Sequence, residues 1–464
     1  MKRSSRLRTG IAAFAAVAAL LPPAARAAEG LTLREAMTEA LRGNDLLKAE
    51  QGRRAAAEGA IDAARSFLLP NVSVEERFLR TDNPAYDFSM KINQGAFTAA
   101  DLQGAPDSFN NPDPISDFQT SLTVSQPLYA PRASLGVDMA RGESAAAGWD
   151  LARKREETAH AALKAWLGSK AAEAYGEAAE QAEEDAAEHE RLAKVAEDAG
   201  VGLASDRLRA TVALSEAKRM RLAVLNNIEI SRRGLGLALG REAAVAPTAN
   251  DLTVEVPPLE VLLGKVAGRA DLRAMGERVE NARRSVDLAR AERLPEVGLF
   301  GSLQANDPDV PLGTSGTSYS AGVAVTWKLS SGWHSAAAER QAAAELARAE
   351  ALRAGMEKAA RFRVQEAWLR WGESRESLKI ADETLGVAEE GQRLVRLRYE
   401  NSLSTMVALL DAQAALNRAR SERARTAADL AAAVAELHFA SGLLLELIEK
   451  AEGAPAAAAM AAGR

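Results

Sequence analysis

Cysteine is absent from the 464 residues, so neither a disulfide framework nor a thiolate metal site is available. Aromatic residues make up only 5% although 47% of the chain is hydrophobic, which leaves too few rings to fill a deep globular core. A basic excess is also lacking: 58 Lys and Arg face 64 Asp and Glu, a net charge of −6, which argues against nucleic acid as a partner. The four histidines, His160, His189, His334 and His438, are scattered with no second His three or four residues away, so no metal site is expected. Gly200-Val201-Gly202 lacks the preceding strand of a dinucleotide fingerprint. Acidic clusters such as Glu183-Glu184-Asp185 fall on expected helix surfaces, where solvation and pairs four residues apart explain them. No nucleophile and base are grouped, so neither catalysis nor a cofactor is expected. What dominates instead is Ala, Arg, Glu and Leu, the composition of long helices packed closely through small side chains.

The N-terminus reads as a targeting segment. Lys2, Arg3, Arg6 and Arg8 precede the apolar run Ile11 to Leu21, and Ala25-Arg26-Ala27 offers small residues at the two positions a signal peptidase reads. Cleavage is expected after Ala27, giving an exported chain of 437 residues whose new terminus has no Cys for a lipid anchor. Every later apolar run is broken by charge within a few residues, so a membrane-embedded part would have to be built from strands.

The chain repeats itself. Leu69-Pro70 recurs as Leu294-Pro295, an offset of 225, and the preceding Leu47 and Ala49 fall on Leu272 and Ala274 at the same offset. Ala165-Trp166-Leu167 recurs as Ala367-Trp368-Leu369, and Arg191-Leu192 as Arg393-Leu394, now at an offset of 202. The first copy therefore carries 23 extra residues between its Leu-Pro and its Ala-Trp. They fall in a stretch rich in Asn, Asp, Pro and Gly, from about Arg80 to Asp117, expected to be a loop. Val72 and Val74 before it, and Thr120, Leu122 and Val124 after it, alternate with polar residues. Val297, Leu299 and Leu303 do the same before a shorter loop at Asn306 to Thr317, and Ala321, Val323, Val325 and Trp327 after it. Period-two alternation on both sides of a turn-rich loop is a hairpin signal, so each repeat contributes two strands.

The remainder reads as helix. Arg132 to Ala199 and Trp333 to Glu400 contain no Pro, and about 68 residues of helix span roughly 100 Å. Each is followed by a break and a shorter helix, Ser205 to Leu239 and Thr405 to Ala440, and each hairpin is preceded by one, Leu33 to Phe67 and Leu259 to Arg293. The chain thus divides into a signal peptide, 1–27; a first repeat, 28–239; a linker, 240–258; a second repeat, 259–442; and a tail, 443–464, expected to be disordered. Four strands cannot close a barrel, and open edges in an exported protein invite aggregation, so closure has to come from assembly. Three copies would supply twelve strands, an even number suited to an outer-membrane barrel, and would gather the helices into a second tube. The expected fold class is mainly α with a small β part: long helical hairpins forming a trimeric helical barrel, plus four strands per chain contributing to a 12-stranded transmembrane β-barrel.

This order of elements, the doubled Leu-Pro and Ala-Trp landmarks, and the opening Leu31-Thr32-Leu33-Arg34-Glu35-Ala36 with Ala40-Leu41 and Asn44 resemble the TolC family of trimeric outer-membrane efflux proteins. The resemblance runs from about Leu31 to Gly442 and rests on the ordered set of landmarks, each short in itself. It implies a homotrimer embedded in outer-membrane lipid, with its helical part in the periplasm. Such a duct passively conducts substrates delivered by a periplasmic adaptor and an inner-membrane RND or ABC transporter, in efflux or type I secretion. The competing class is a periplasmic or surface coiled-coil scaffold without a pore, which would have no need of paired alternating hairpins.

The turns between paired helices carry the remaining candidates. Tyr399 to Gln413 resembles the family's tip pattern, and Gly200 to Asp206 is its first-repeat counterpart at the 202 offset. Gly200 or Gly202 can end a helix in the left-handed conformation, and Ser205 or Thr405 can cap the next one; turn chemistry alone accounts for most of both motifs. The resemblance further implies a gate, in which Asp206 and Tyr399 bond adjacent hairpins and Asp411 supplies a ring of three carboxylates favouring cations. The chain departs from the family pattern at Ser402, where a Gly is familiar, and at Ser404 and Ala408, where some members carry Arg and a second Asp. Gly200, Val201, Gly202, Leu203, Leu403, Ser404 and Thr405, at the ends of the hairpins, are the expected adaptor-docking surface.

Overall fold

The computed structural model describes residues 30–103, 109–248 and 256–446. The expected signal peptide, the tail from 447 onward and linker residues 249–255 lie outside them. The described helices and strands are, in chain order, α1 (Leu33–Gly43), α2 (Asp45–Ser66), β1 (Asn71–Thr81), α3 (Pro84–Asn93), α4 (Ala99–Gln103), β2 (Ile115–Tyr129), α5 (Pro131–Asp198), α6 (Ala204–Leu239), α7 (Leu259–Lys265), a 3-10 turn (Val266–Gly268), α8 (Ala270–Ala291), β3 (Glu296–Asp307), β4 (Gly316–Thr326), α9 (His334–Glu400) and α10 (Met406–Ser441). They group into two compact units, Met1–Asp45 with Arg155–Leu262 and Arg363–Arg464, and Leu46–Lys154 with Leu263–Phe362. Each unit draws on both sequence repeats.

In the first unit, small side chains build the core. Ala36, Ala40 and Ala162 are fully buried with Leu235, Leu239 and Val245 around Trp166, whose indole nitrogen donates to Leu31 O at 3.2 Å. Thr32 and Glu35 close a capping box at the start of α1, Thr32 Oγ1 accepting from Glu35 N while the Glu35 carboxylate accepts from Thr32 N. The linker is tied down in its described part: Leu31 N donates to Ala246 O at 3.0 Å, and Arg241 pairs with Glu39. The first residues assigned to the tail are packed as well, since Leu444 is fully buried with Met37, Ala159, Leu163 and Ala435. Helices α6 and α10 both end on a left-handed glycine, Gly240 at φ +81° and Gly442 at φ +76°, which preserves the 202 offset.

The second unit contains a four-stranded antiparallel sheet in the order β1-β2-β3-β4, so that β2 and β3 join the two repeats and β1 and β4 each keep one free edge. Register gives the sheet two different faces. Val72, Val124, Gly301 and Ala321 lie in one row, and Val74, Leu122, Leu303 and Tyr319 in the next, so one face is apolar across all four strands. The opposite face carries Ser73, Thr123, Ser302 and Ser320 in one row and Glu75, Ser121, Gln304 and Ser318 in another. Pro70 and Pro295 stop the preceding helices, and strands begin at Asn71 and Glu296, again 225 apart.

Two sequence expectations need correction. The helices before the hairpins are not continuous: the first breaks at Asn44, where the backbone is extended (ψ 121°), and the second at the 3-10 turn before Arg269. These positions are themselves 225 apart. The stretch from Arg80 to Asp117 is also not a plain loop. The strands extend to Thr81 and back to Ile115, and α3 stands between them, started by Asn83, whose side chain accepts from Ala85 N and Tyr86 N, and by Pro84 at the first helical position. Composition concealed the helix, but the Asn-Pro pair was its signal.

Candidate functional site

Both helix-to-helix turns lie in the first unit, and their hydrogen bonds match as far as Val201 and Leu403. In the first, Gly200 N donates to Glu197 O at 2.9 Å and Val201 N to Ala196 O at 3.0 Å. In the second, Ser402 N donates to Tyr399 O at 2.9 Å and Leu403 N to Arg398 O at 2.7 Å. Gly200 and Ser402 occupy the left-handed position, at φ +74° and +58°. Ser402, the departure from the family's Gly, therefore sits where a side chain is least welcome. Gly202 has an ordinary φ but no room: an added Cβ would lie 2.8 to 2.9 Å from Ala196 Cβ, Ala196 C and Glu197 N.

The caps differ between the turns. Thr405 caps α10, accepting from Ala408 N at 3.2 Å, as one of the two expected candidates. Ser205 does not cap α6. That helix starts one residue earlier, so the N-cap position falls on Leu203, which makes no side-chain cap bond. Val201, Leu203 and Leu403 project into solvent at 81, 66 and 70% exposure. Gly200 and Thr405 are exposed too, and Ser404 half-buried.

Beneath the turns, Ala193, Ala210, Met406 and Leu409 form a buried cluster against which Val395, Tyr399 and Leu410 pack. Burial pushes the Tyr399 phenol above its ordinary pKa, and the negative charge of Asp206 adds to the shift. The two side chains are thus close enough to interact, yet no hydrogen bond joins them within the chain. Asp411 lies in the second turn of α10, exposed, with neither a hydrogen bond nor an ion pair among the described residues.

Two residues further on, the sequence reading overlooked a polar node. Gln413 is 4% exposed on a face that otherwise buries Met406, Leu409 and Leu416. Its amide oxygen bonds His189 Nε2 and accepts from Gln392 Nε2, both at 3.0 Å, and its Nε2 donates to Asp185 Oδ2 at 2.8 Å and Asn417 Oδ1 at 3.0 Å. Arg420 donates to the same Asp185 oxygen at 2.7 Å. Asp185 is therefore a half-buried partner rather than a solvated surface charge, and α5, α9 and α10 are locked in register by one amide. A Gln interrupting an apolar stripe of helical spacing was the available signal.

The other histidines have structural settings of their own. His160 stacks on Phe439 at 4.2 Å and pairs with Glu436 at 3.2 Å, His438 bonds Val434 O, and His334 is exposed. Among the described residues no group of three or more His, Asp or Glu is placed to hold a metal ion. No described helix is long and apolar enough to cross a membrane.

The family model described as outer membrane efflux protein matches residues 36–241 and 266–443. The chain is similar in fold to the outer-membrane channel OprN, with a TM-score of 0.75 at 20% identity over 88% of this chain and 89% of that one. It is similar also to the outer membrane protein VceC from Vibrio cholerae, with a TM-score of 0.74 at 17% identity over 88% and 96% of the two chains. The CmeC outer membrane channel of Campylobacter jejuni gives 0.74 at 16% identity over 89% and 86%. A sequence comparison with curated proteins gives no match. Most of each repeat, with both turns and all four strands described above, falls inside the matched segments, and the chain belongs to the outer membrane efflux protein family.

Proposed function

We propose that three copies of this chain form a passive duct of the TolC type, with the strands in the outer membrane and the helices in the periplasm, serving a tripartite efflux or type I secretion system. The observation that carries this reading is the two-faced sheet with both edges open. An apolar face of Val, Leu and Tyr suits lipid, a polar face of Ser, Thr and Gln suits a watery lumen, and β4 of one copy can pair with β1 of the next. A coiled-coil scaffold has no use for such a sheet.

The first unit supports the same closure. Its exposed large apolar side chains lie mainly on two of the four long-helix segments. Leu208, Val212, Met220, Leu222, Leu225, Ile230 and Leu237 are on α6, and Leu369, Ile380, Val387, Leu394 and Leu397 on α9. By contrast α5 exposes Val195 and α10 Val407. The α6 and α9 faces would mate between copies, a head-to-tail contact that closes as a ring.

In this assembly the two tips of each copy face the periplasm. Asp411, unpaired in the single chain, would contribute to a ring of three carboxylates at the entrance, and Asp206 and Tyr399 would link hairpins across it. The exposed Val201, Leu203 and Leu403, with Gly200, Gly202, Ser404 and Thr405, would receive the periplasmic adaptor, which couples the duct to an RND or ABC pump. The test is recovery from outer-membrane fractions as a trimer that conducts ions in planar bilayers; a soluble, non-conducting monomer overturns the reading. In the same assay Asp411→Ala is expected to lower cation selectivity, and unchanged selectivity would remove Asp411 from the constriction.

A further inference from the structure

The polar face of the sheet is not open along its whole length, because α3 lies over it at the end remote from the long helices. Gln94, directly after α3, donates through Nε2 to Ser116 O at 2.8 Å and to Asp117 Oδ1 at 2.9 Å. Asn306 Nδ2 donates to the other oxygen of the same carboxylate, Asp117 Oδ2, at 2.8 Å. One buried carboxylate therefore joins β2, β3 and the helix end, and all three side chains are at least nine-tenths buried. Strand register places Asp117 and Asn306 on the face that carries Gln119, Ser121 and Gln304. Gly316, paired with Asn306, gives an independent sign: a Cβ there would fall 1.8 Å from Asn93 O, so the last turn of α3 rests its backbone directly on β4.

The helix divides its own residues accordingly. Asp87, Met90 and Gln94, at helical spacing, are buried, and Lys91 braces Asp87 at 2.9 Å. Tyr86, Phe88 and Ile92 are left outside at 56, 42 and 49% exposure, an unusual concentration of large apolar groups on a short loop helix. A carboxyl group taken out of water needs hydrogen-bond partners, so the Gln94–Asp117–Asn306 clamp fixes the helix in place.

We propose that α3 is a constriction element: in the trimer, three copies narrow the lumen at the outer mouth of the barrel, and Tyr86, Phe88 and Ile92 form a collar that limits what leaves. The inference rests on the trimeric-barrel reading and adds a second restriction, distinct from the helical tips. Twelve strands about 4.8 Å apart and tilted about 40° enclose a backbone radius of roughly 12 Å. A helix with its side chains is about 10–12 Å wide, so three of them leaning over such a lumen cover much of its section.

The absence of native cysteine makes the test clean, since an introduced thiol is the only one in the chain. Full-length trimers carrying Phe88→Cys or Ile92→Cys would be studied in planar bilayers with a bulky methanethiosulfonate reagent added on the loop side. A fall of at least twofold in single-channel conductance is expected at either position, with no change for Val72→Cys on the apolar face. Gln94→Ala, which loosens the clamp, is expected to raise conductance and weaken the block. Channels that conduct normally yet ignore modification at both collar positions overturn the collar while leaving the duct intact. Protein that never conducts overturns the duct and the collar together.

Discussion

The two hairpin tips form the same turn with different chemistry. The first has glycine at the left-handed position and no cap on the helix that follows; the second has a serine there and a threonine cap. Each tip thus holds one favourable feature and one liability. The first relies on backbone freedom and places an exposed Leu203 where a capping residue would sit. The second tolerates a strained Ser402 because Thr405 and the Asn401 side chain, which donates to Leu397 O at 2.7 Å, tie the turn down. A turn geometry can therefore be kept by either local device, and the residue at any single position is a poor guide to the shape.

Substitutions can break or sharpen this contrast, read by hydrogen exchange of the tip amides in the full-length protein. The largest effect is expected at Gly202→Ala, where the new methyl meets backbone, a crowding that costs about 1–3 kcal/mol. Its counterpart Ser404→Ala should leave protection almost unchanged; equal losses at the two sites would contradict the crowding. Gly200→Ala forces a side chain into the left-handed region, about 1–2 kcal/mol, whereas Ser402→Gly should gain roughly 1 kcal/mol by relieving the same strain. Thr405→Ala should cost about 1 kcal/mol, and Leu203→Asp should gain several tenths of a kcal/mol by adding the missing cap. The smallest change concerns titration: Asp206→Asn should lower the Tyr399 phenol pKa. Because burial is the larger cause, the pKa should stay above that of free tyrosine. A full return to the ordinary value, by tyrosine absorbance against pH, would show that burial is not the main cause.

Much of the architecture was legible in advance because it is periodic. The absence of Pro over some 68 residues, the period-two strands and the 202 and 225 offsets are one-dimensional signals, and the structure places α5, α9 and all four strands where those signals put them. What escaped depends on single residues in company. Asn44 and Arg269 interrupt helices whose apolar spacing continues through the break. Ser205 has the right chemistry for a cap and stands two residues past the cap position at Leu203, a shift too small for spacing to register. Gln413 ends the tip pattern in the sequence, but only the fold brings His189, Asp185 and Gln392 from two other helices onto its amide.

The sequence by itself determined the local content of this protein: a duplicated helix-hairpin-helix-helix unit with small-residue seams, and strands with one apolar and one polar side. Those properties follow from side-chain volume and alternation, which need no knowledge of distant partners. Only the tertiary structure decided which surfaces remain open, because that depends on what each element meets. It covered the large apolar side chains of α5 and α10 except Val195 and Val407, left the apolar faces of α6 and α9 uncovered, and laid α3 over the polar side of the sheet. The openings carry the proposed function, and they are nonlocal by nature.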